Sequence, residues 1–230
     1  MRVLITRPQE DAVRIAEILK ERGHDPVIAP LLKTHFHDGP EVPLDGVQAI
    51  LATSANGVRA LVRRTSRRDV PLFAVGPQTE EDACNHGFTS VRNANGDSKA
   101  LAAVTRDWAS PEKGALLHVK GAEADGTLAA LLKAQGFDVR TLVLYDVAEV
   151  GLSESARAQL ANREIDAALF FSSRSARIFS EKVQGLDLGN VVAVCISEVT
   201  ATALSPLVFR EIRIATKPNQ NALLACLDQA

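Results

Sequence analysis

A chain of 230 residues, 46% hydrophobic and 23% charged, has an ordinary globular composition and is long enough for one large domain or two of average size. A formal charge of −2 argues against a general nucleic-acid binder, and the apolar run before Arg7 is far too short for a signal-peptide core or a membrane span. Three cysteines without a CxxC pair and five histidines without an HExxH argue against structural zinc and a disulfide framework, so a reduced, cytoplasmic chain without metal is expected. With only 4% aromatic residues, aliphatic side chains must build the cores, as buried parallel sheets require.

The first segment, "RVLITRPQEDAVRIAEILKERGHDPVIAPLL", reads as a βαβ unit. Apolar residues to Ile5 form a strand, and Ile15, Ile18 and Leu19 recur at helical spacing. Gly23 sits where a left-handed helix C-cap belongs, and a second strand is expected over 26–31. In "KTHFHDGP", His35 and His37 lie in a polar connection with no third ligand in view, and ordinary loop histidines account for them. "VQAILATSANGVRAL" is a strand, a small polar cluster and a helix; Arg63, Arg64, Arg67 and Arg68 after it read as a solvated basic face. "VPLFAVGPQTEEDA" repeats the strand–cluster–helix pattern and places Cys84 on a helix. A short strand in "GFTSVRNA" and a helix from near Ser98 complete the half.

The chain is then written again. "ALLHVKGAEADGTLAALLKAQGFDVRTLVLY" aligns without a gap on the first segment at an offset of 113, placing Lys120 on Arg7, Leu132 on Leu19 and Gly136 on Gly23. Its second strand, 139–144, ends at Tyr145, the sole tyrosine. "IDAALFFSSRSARIF" and "NVVAVCISEVTATA" follow at an offset of 119, placing Ser173 on Ser54 and Val194 on Val75. "VFREIRIA" and a helix from near Asn219 close the second copy. The expected fold class is α/β: two similar three-layer domains with mostly parallel sheets covered by helices.

Ligands of such folds sit beyond the C-terminal ends of the strands, where every small polar cluster of this chain lies. The clusters are Thr6 to Pro8, Thr53 to Gly57, Gly76 to Thr79, Lys120 with Gly121, Ser172 to Ser175, and Ser197 to Thr200. Each is expected to precede a helix, offering backbone N–H groups and the positive helix end to a carboxylate or phosphate. Gly57 is expected to let the backbone approach a ligand. Ordinary helix capping explains Ser54, Asn56, Ser172, Ser173 and Ser175 equally well. Arg7 and Lys120 pair either with acidic groups of a ligand or with a strand-end carboxylate. Tyr145 is either a proton donor to a leaving group or a half-buried phenol with a satisfied hydroxyl. Dinucleotide, phosphate-loop and nucleophile-elbow patterns are missing from the sequence, and Cys195 reads as a buried strand residue rather than a nucleophile. The residues alone lead to an anion-binding cleft between duplicated α/β domains.

The ordered set "VLITRPQ", "TSANGV", "FAVGPQT", "GFDVRTLVLYDV" and "LFFSSRSARIF" resembles the uroporphyrinogen-III synthases of tetrapyrrole biosynthesis over nearly the whole chain. That resemblance implies a two-stranded crossover joining the domains, one made of 1–36 and 149–230 and the other of 38–147. It implies cyclisation of hydroxymethylbilane, a linear tetrapyrrole with eight carboxylates, with loss of water and inversion of ring D. Neither cofactor nor metal takes part, and the partners implied are this substrate and a transient handover from the preceding pathway enzyme, to a monomer away from nucleic acid and membrane. Tyr145 matches the family's strand-end tyrosine, assigned to assist departure of the hydroxyl. Arg7, Thr53, Ser54, Asn56, Gly76, Thr79, Lys120, Ser172, Ser173, Ser197 and Thr200 are the implied substrate contacts.

The chain departs from the family pattern in "AVCISEVTATAL", where Cys195 replaces an expected glycine and Glu198 stands beside the anion site. Contact by Ser197 or Thr200 is therefore less secure than contact by Thr79. Lys120 stands where arginine is usual, keeping the charge without the forked geometry. Two other classes remain: a two-domain protein that closes on a small anionic ligand without changing it, and a flavodoxin-like or receiver-like regulatory module. A receiver domain needs an acidic pair after the first strand, where this chain has Thr6, Arg7 and Pro8.

Overall fold

The computed structural model describes residues 1–228, which divide into two compact units, one of Met1–Lys33 with the chain from Ala148 onward, the other Thr34–Val147. The first carries β1 (Arg2–Ile5), α1 (Gln9–Glu21), β2 (Asp25–Ile28), α6 (Glu154–Ala161), β9 (Ala167–Phe170), α7 (Ser173–Lys182), β10 (Leu188–Cys195), α8 (Glu198–Thr202), β11 (Phe209–Ile214) and α9 (Gln220–Leu227). The second carries β4 (Val47–Ala52), α2 (Ala55–Val62), β5 (Leu72–Ala74), α3 (Pro77–Asn85), β6 (Val91–Asn93), α4 (Ser98–Trp108), β7 (Ala115–Gly121) and α5 (Thr127–Ala134). Two strands carry the chain across: it leaves the first unit within β3 (Leu32–Phe36) and returns within β8 (Val139–Glu149).

Strand order makes the duplication concrete. The first sheet runs β11-β10-β9-β1-β2, and the second runs β6-β5-β4-β7-β8 with β3 added at its edge. Under the two sequence offsets these orders are the same, strand for strand, so each βαβ unit completes the sheet built by the other copy's later strands. The pairs β1–β2, β1–β9, β9–β10 and β10–β11 are parallel, as are β8–β7, β7–β4, β4–β5 and β5–β6.

Both sheets are covered on two faces. In the second, Ile50, Ala52, Leu117 and Val119 pack under Val58 and Leu61 of α2 and Ala83 of α3. Their alternate neighbours Ala49, Leu51 and Leu116 pack under Leu101 of α4 and Leu128 and Leu132 of α5, the two-residue period of a strand buried on both sides. In the first, Val3, Ile5, Leu169 and Val194 meet Ile15 and Leu19 of α1 and Leu223 of α9. On that sheet's other face Phe170 meets Phe179 of α7 edge to face, with ring centroids 5.0 Å apart.

Local chemistry explains the element ends. Helix α1 has Glu10 and Asp11 in its first turn and Lys20 in its last, matching its dipole. Gly23 (φ 78°) and Gly136 (φ 90°) take the left-handed conformation that ends α1 and α5. The expected strand 26–31 stops at Ile28, and the chain resumes extended pairing only at Leu32. Pro30, which brings no N–H to a ladder, separates the two strands. The second copy has no proline there, and β8 runs unbroken over 11 residues to Glu149. His35 lies within β3 rather than in a loop, and His37 Nε2 is 3.0 Å from Asp146 Oδ2.

The four arginines after α2 are all at least partly exposed, as a solvated face requires, and each also has a partner within the second unit. Arg63 stacks on Phe36 at 4.3 Å, and Arg64 donates to the carbonyls of Pro40 and His37. Arg67 pairs with Asp69 and Asp45, and Arg68 donates to the carbonyls of His86 and Thr65. Together they strap the loops of the second unit. Among the described residues no helix is long and apolar enough to cross a membrane.

Candidate functional site

In each sheet the strands ending in small polar residues are parallel neighbours. Strands β7, β4 and β5 bring Lys120, Thr53 with Ser54, and Gly76 to one edge of the second unit. Strands β1, β9 and β10 bring Arg7, Ser172 with Ser173, and Ser197 to the corresponding edge of the first.

Tyr145 enters the second cluster through a β-bulge. Lys120 pairs with Val143 but Gly121 with Tyr145, so Leu144 is an extra residue on β8. Successive strand residues normally point to opposite faces, yet Leu144 and Tyr145 both pack into the core beneath α2. The phenol ring lies against Gly121, where a Cβ would stand 2.7 Å from Cε2 and 2.8 Å from Cζ. Tyr145 is 7% exposed, and its hydroxyl is 2.9 Å from Ser54 Oγ. Ser54 is the N-cap of α2, but its side chain caps nothing; the Gly57 amide donates to the Ser54 backbone carbonyl at 3.0 Å.

The rest of this edge is tightly held. Asn56 donates to Thr34 Oγ1 and accepts from Arg59, each at 3.2 Å, and Arg59 pairs with Asp82 of α3 at 2.9 Å. Gly57 lets α2 pack closely on β7: a Cβ there would lie 3.1 Å from the Val119 carbonyl oxygen. Gly76 begins α3, and Thr79, 4% exposed, lies buried in its first turn. The cluster at Lys120 does not open a helix as expected, because α5 begins only at Thr127. Its ammonium is held by the carbonyls of Ala124 and Asp125 in the intervening loop. Two residues earlier, His118 is 2% exposed and neither ring nitrogen has a hydrogen-bond partner among the described residues. Burial, aided by the Lys120 ammonium and opposed by Asp125, pushes its pKa down to about 4, so the ring is neutral.

In the first unit Arg7 pairs with Asp11 and lies over the Phe171 ring, 5.0 Å from its centroid. Ser172 caps α7, accepting from the Ser175 amide at 3.1 Å, while Ser173 beside it is exposed. Ser197 caps α8 through the Thr200 amide, and Thr200 is 1% exposed with its hydroxyl 3.1 Å from Ser197 Oγ. Glu198 is exposed at the start of α8. Burial pushes the Cys195 thiol up to about 12, which keeps it protonated. A cavity of about 550 Å³ between α7 and α8 is lined by Ser173, Arg174, Arg177, Val199, Thr202 and Ala203.

Among the described residues these edges offer hydroxyls, helix-start amides and guanidinium groups but no nucleophile paired with a base. A family model described as "Uroporphyrinogen-III synthase HemD" matches residues 13–225. The chain belongs to the uroporphyrinogen-III synthase family. A uroporphyrinogen-III synthase of Chlorobaculum parvum is 25% identical over 218 residues, covering 89% of each chain. A protein of Methanocaldococcus jannaschii named as a putative uroporphyrinogen-III synthase is 41% identical over 61 residues, about a quarter of each chain. Among solved structures, uroporphyrinogen-III synthetase of Helicobacter pylori superposes with a TM-score of 0.66 at 21% identity, covering 98% of this chain and 97% of that one. A mutant synthase of Thermus thermophilus gives 0.50 at 18% identity over 98% and 96%. These likenesses place the chain among two-domain α/β enzymes of tetrapyrrole biosynthesis.

Within this family fold the sequence-derived residues fall into two groups. Thr53, Ser54, Asn56, Gly76, Thr79, Lys120 and Tyr145 gather on the second unit; Arg7, Ser172, Ser173, Ser197 and Thr200 gather on the first. Sequence reasoning missed Arg174 and Arg177, which line the cavity beside Ser173. Their spacing, three apart at the start of a helix, was the available signal. It also missed that Ser54 and Tyr145 are partners.

Proposed function

We propose that the protein is a cytoplasmic, monomeric uroporphyrinogen-III synthase acting without metal or cofactor. It takes hydroxymethylbilane, handed over by the preceding pathway enzyme, and closes it with loss of water and inversion of ring D. The observation that carries the reading is the family match over 13–225; the chain's one tyrosine, expected at a strand end, lies within β8, which runs on to Glu149, at the bulge that sets its hydroxyl beside Ser54.

The chemistry needs little from the protein beyond geometry. Loss of the terminal hydroxyl gives an electrophilic azafulvene, whose carbon is attacked by a substituted position of ring D; the spiro intermediate then fragments and recloses. Spontaneous closure gives the uninverted isomer, so the enzyme must hold the chain in the folded-back arrangement, and positioning carries much of the rate. Exposed Ser173, half-buried Thr53 and Ser172, and the amides at the starts of α2, α3 and α7 hold carboxylates in this reading. Arg174 and Arg177 add charge beside Ser173; both pair with Glu149, and Arg177 also with Glu181, so their contribution is partly offset. Thr79 and Thr200 are too buried to offer their hydroxyls without movement, and they support the turns that present the amides. Tyr145 assists departure of the hydroxyl as an auxiliary proton donor.

The purified protein is incubated with hydroxymethylbilane, and the oxidised porphyrin isomers are separated by chromatography. Mainly type III product above the spontaneous type I background supports the reading. An unchanged isomer ratio accompanied by a ligand-induced rise in melting temperature favours a binding protein instead.

A further inference from the structure

We propose that Ser54 is a positioning residue for Tyr145: its hydroxyl donates to the phenol oxygen and leaves the phenol hydrogen to be given outward. The inference rests on the synthase reading and deepens it. Three observations carry it. Ser54 occupies an N-cap yet makes no capping bond, unlike Ser172 and Ser197, whose side chains accept from helix amides. Its Oγ instead lies 2.9 Å from the Tyr145 hydroxyl. The bulge at Leu144 turns Tyr145 onto the face where α2 begins, and Gly121 supplies the space its ring fills.

Two hydroxyls in contact share one hydrogen, and which one donates decides what the tyrosine can do. If the phenol donates to Ser54, its proton is turned away from any substrate. If Ser54 donates, the phenol oxygen accepts and its own O–H is free. In the reaction, that hydrogen passes to the departing hydroxyl of the substrate. The carbon–oxygen bond breaks with its electron pair going to oxygen, water leaves, and the positive charge spreads over the terminal pyrrole. The phenolate oxygen keeps the Ser54 hydrogen bond, a preorganised donor aimed at the charge that develops. The proton released when the pyrrole ring attacked by the electrophile regains its aromaticity after closure returns to the phenolate.

The test compares wild type with Ser54→Ala, Ser54→Thr, Tyr145→Phe and the Ser54→Ala, Tyr145→Phe double variant. Loss of one neutral hydrogen bond corresponds to a kcat about 3–10-fold lower in Ser54→Ala, with KM nearly unchanged. Threonine, which keeps the hydroxyl, restores the rate to within about two-fold of wild type. In the double variant kcat equals that of Tyr145→Phe alone, because Ser54 acts only through the phenol. A second readout is independent of activity. The chain has one tyrosine, so the Raman doublet near 850 and 830 cm⁻¹ reports that phenol alone. The intensity ratio is high when phenol oxygen accepts and is expected to fall in Ser54→Ala. A ratio that rises or stays the same in folded Ser54→Ala overturns the proposed donor. So does an unchanged kcat in Ser54→Ala when Tyr145→Phe is slow. If wild-type protein makes no excess of type III isomer, the synthase reading fails, and the Raman doublet still decides the hydrogen-bond direction.

Discussion

Acid should weaken the second unit through His118. Its ring is 2% exposed on β7, both nitrogens lack partners among the described residues, and its pKa is pushed down to about 4 in the folded protein. An unfolded chain titrates the same ring near 6.5. Between these values the unfolded state binds a proton that the folded state does not, so stability is intact above 6.5 and is lost as pH falls towards 4. Over the full window the loss is about 3 kcal/mol, and between pH 7 and pH 5 it is about 2 kcal/mol. The sole tryptophan, Trp108, lies in the same unit, so its fluorescence during urea denaturation reports the unit that holds His118. Carboxylates contribute to the acid dependence too, but equally in wild type and in His118→Phe. The variant should therefore lose about 2 kcal/mol less than wild type on going from pH 7 to pH 5. Identical losses in the two proteins would refute the claim that His118 is buried neutral.

Gly121→Ala places a Cβ 2.7 Å from the Tyr145 ring. A stability loss of about 1–3 kcal/mol should come with a lower kcat and little change in KM, measured by urea denaturation and initial rates. Ser172→Ala and Ser197→Ala each remove a cap and should cost about 1 kcal/mol of stability. An accompanying rise in KM for Ser172→Ala is expected from its place among the carboxylate contacts, and an unaltered KM removes it from the substrate. The Arg7→Ala, Lys120→Ala pair should raise KM; saturation curves that superpose on wild type would show that neither side chain meets the substrate.

Much of the architecture was legible because it is written twice. The offsets of 113 and 119 predict matched strands, and both sheets carry them in the same order. Gly23 and Gly136 were readable as helix ends because a positive φ has few other solutions. The partnership of Ser54 and Tyr145 was not readable. Strict alternation along "TLVLYDV" puts Leu144 and Tyr145 on opposite faces, and only the bulge puts them on one. A bulge of this kind depends on the neighbouring strand's register, which a hydrophobic pattern does not record. The partners of the arginines at 63 to 68 were not readable for a related reason: they are backbone carbonyls, carboxylates and a ring brought near by the fold. Lys120 was assigned to a helix start by analogy with Arg7, but the longer loop before α5 turns its own carbonyls onto the ammonium.

The central claim is that this chain folds its substrate back rather than attacking it. The most direct measurement is the type III fraction of the porphyrin product as the protein is titrated against a fixed amount of hydroxymethylbilane. The account predicts that the fraction climbs from the spontaneous background to nearly all product at substoichiometric protein. A fraction that stays at the background at every protein concentration would contradict it.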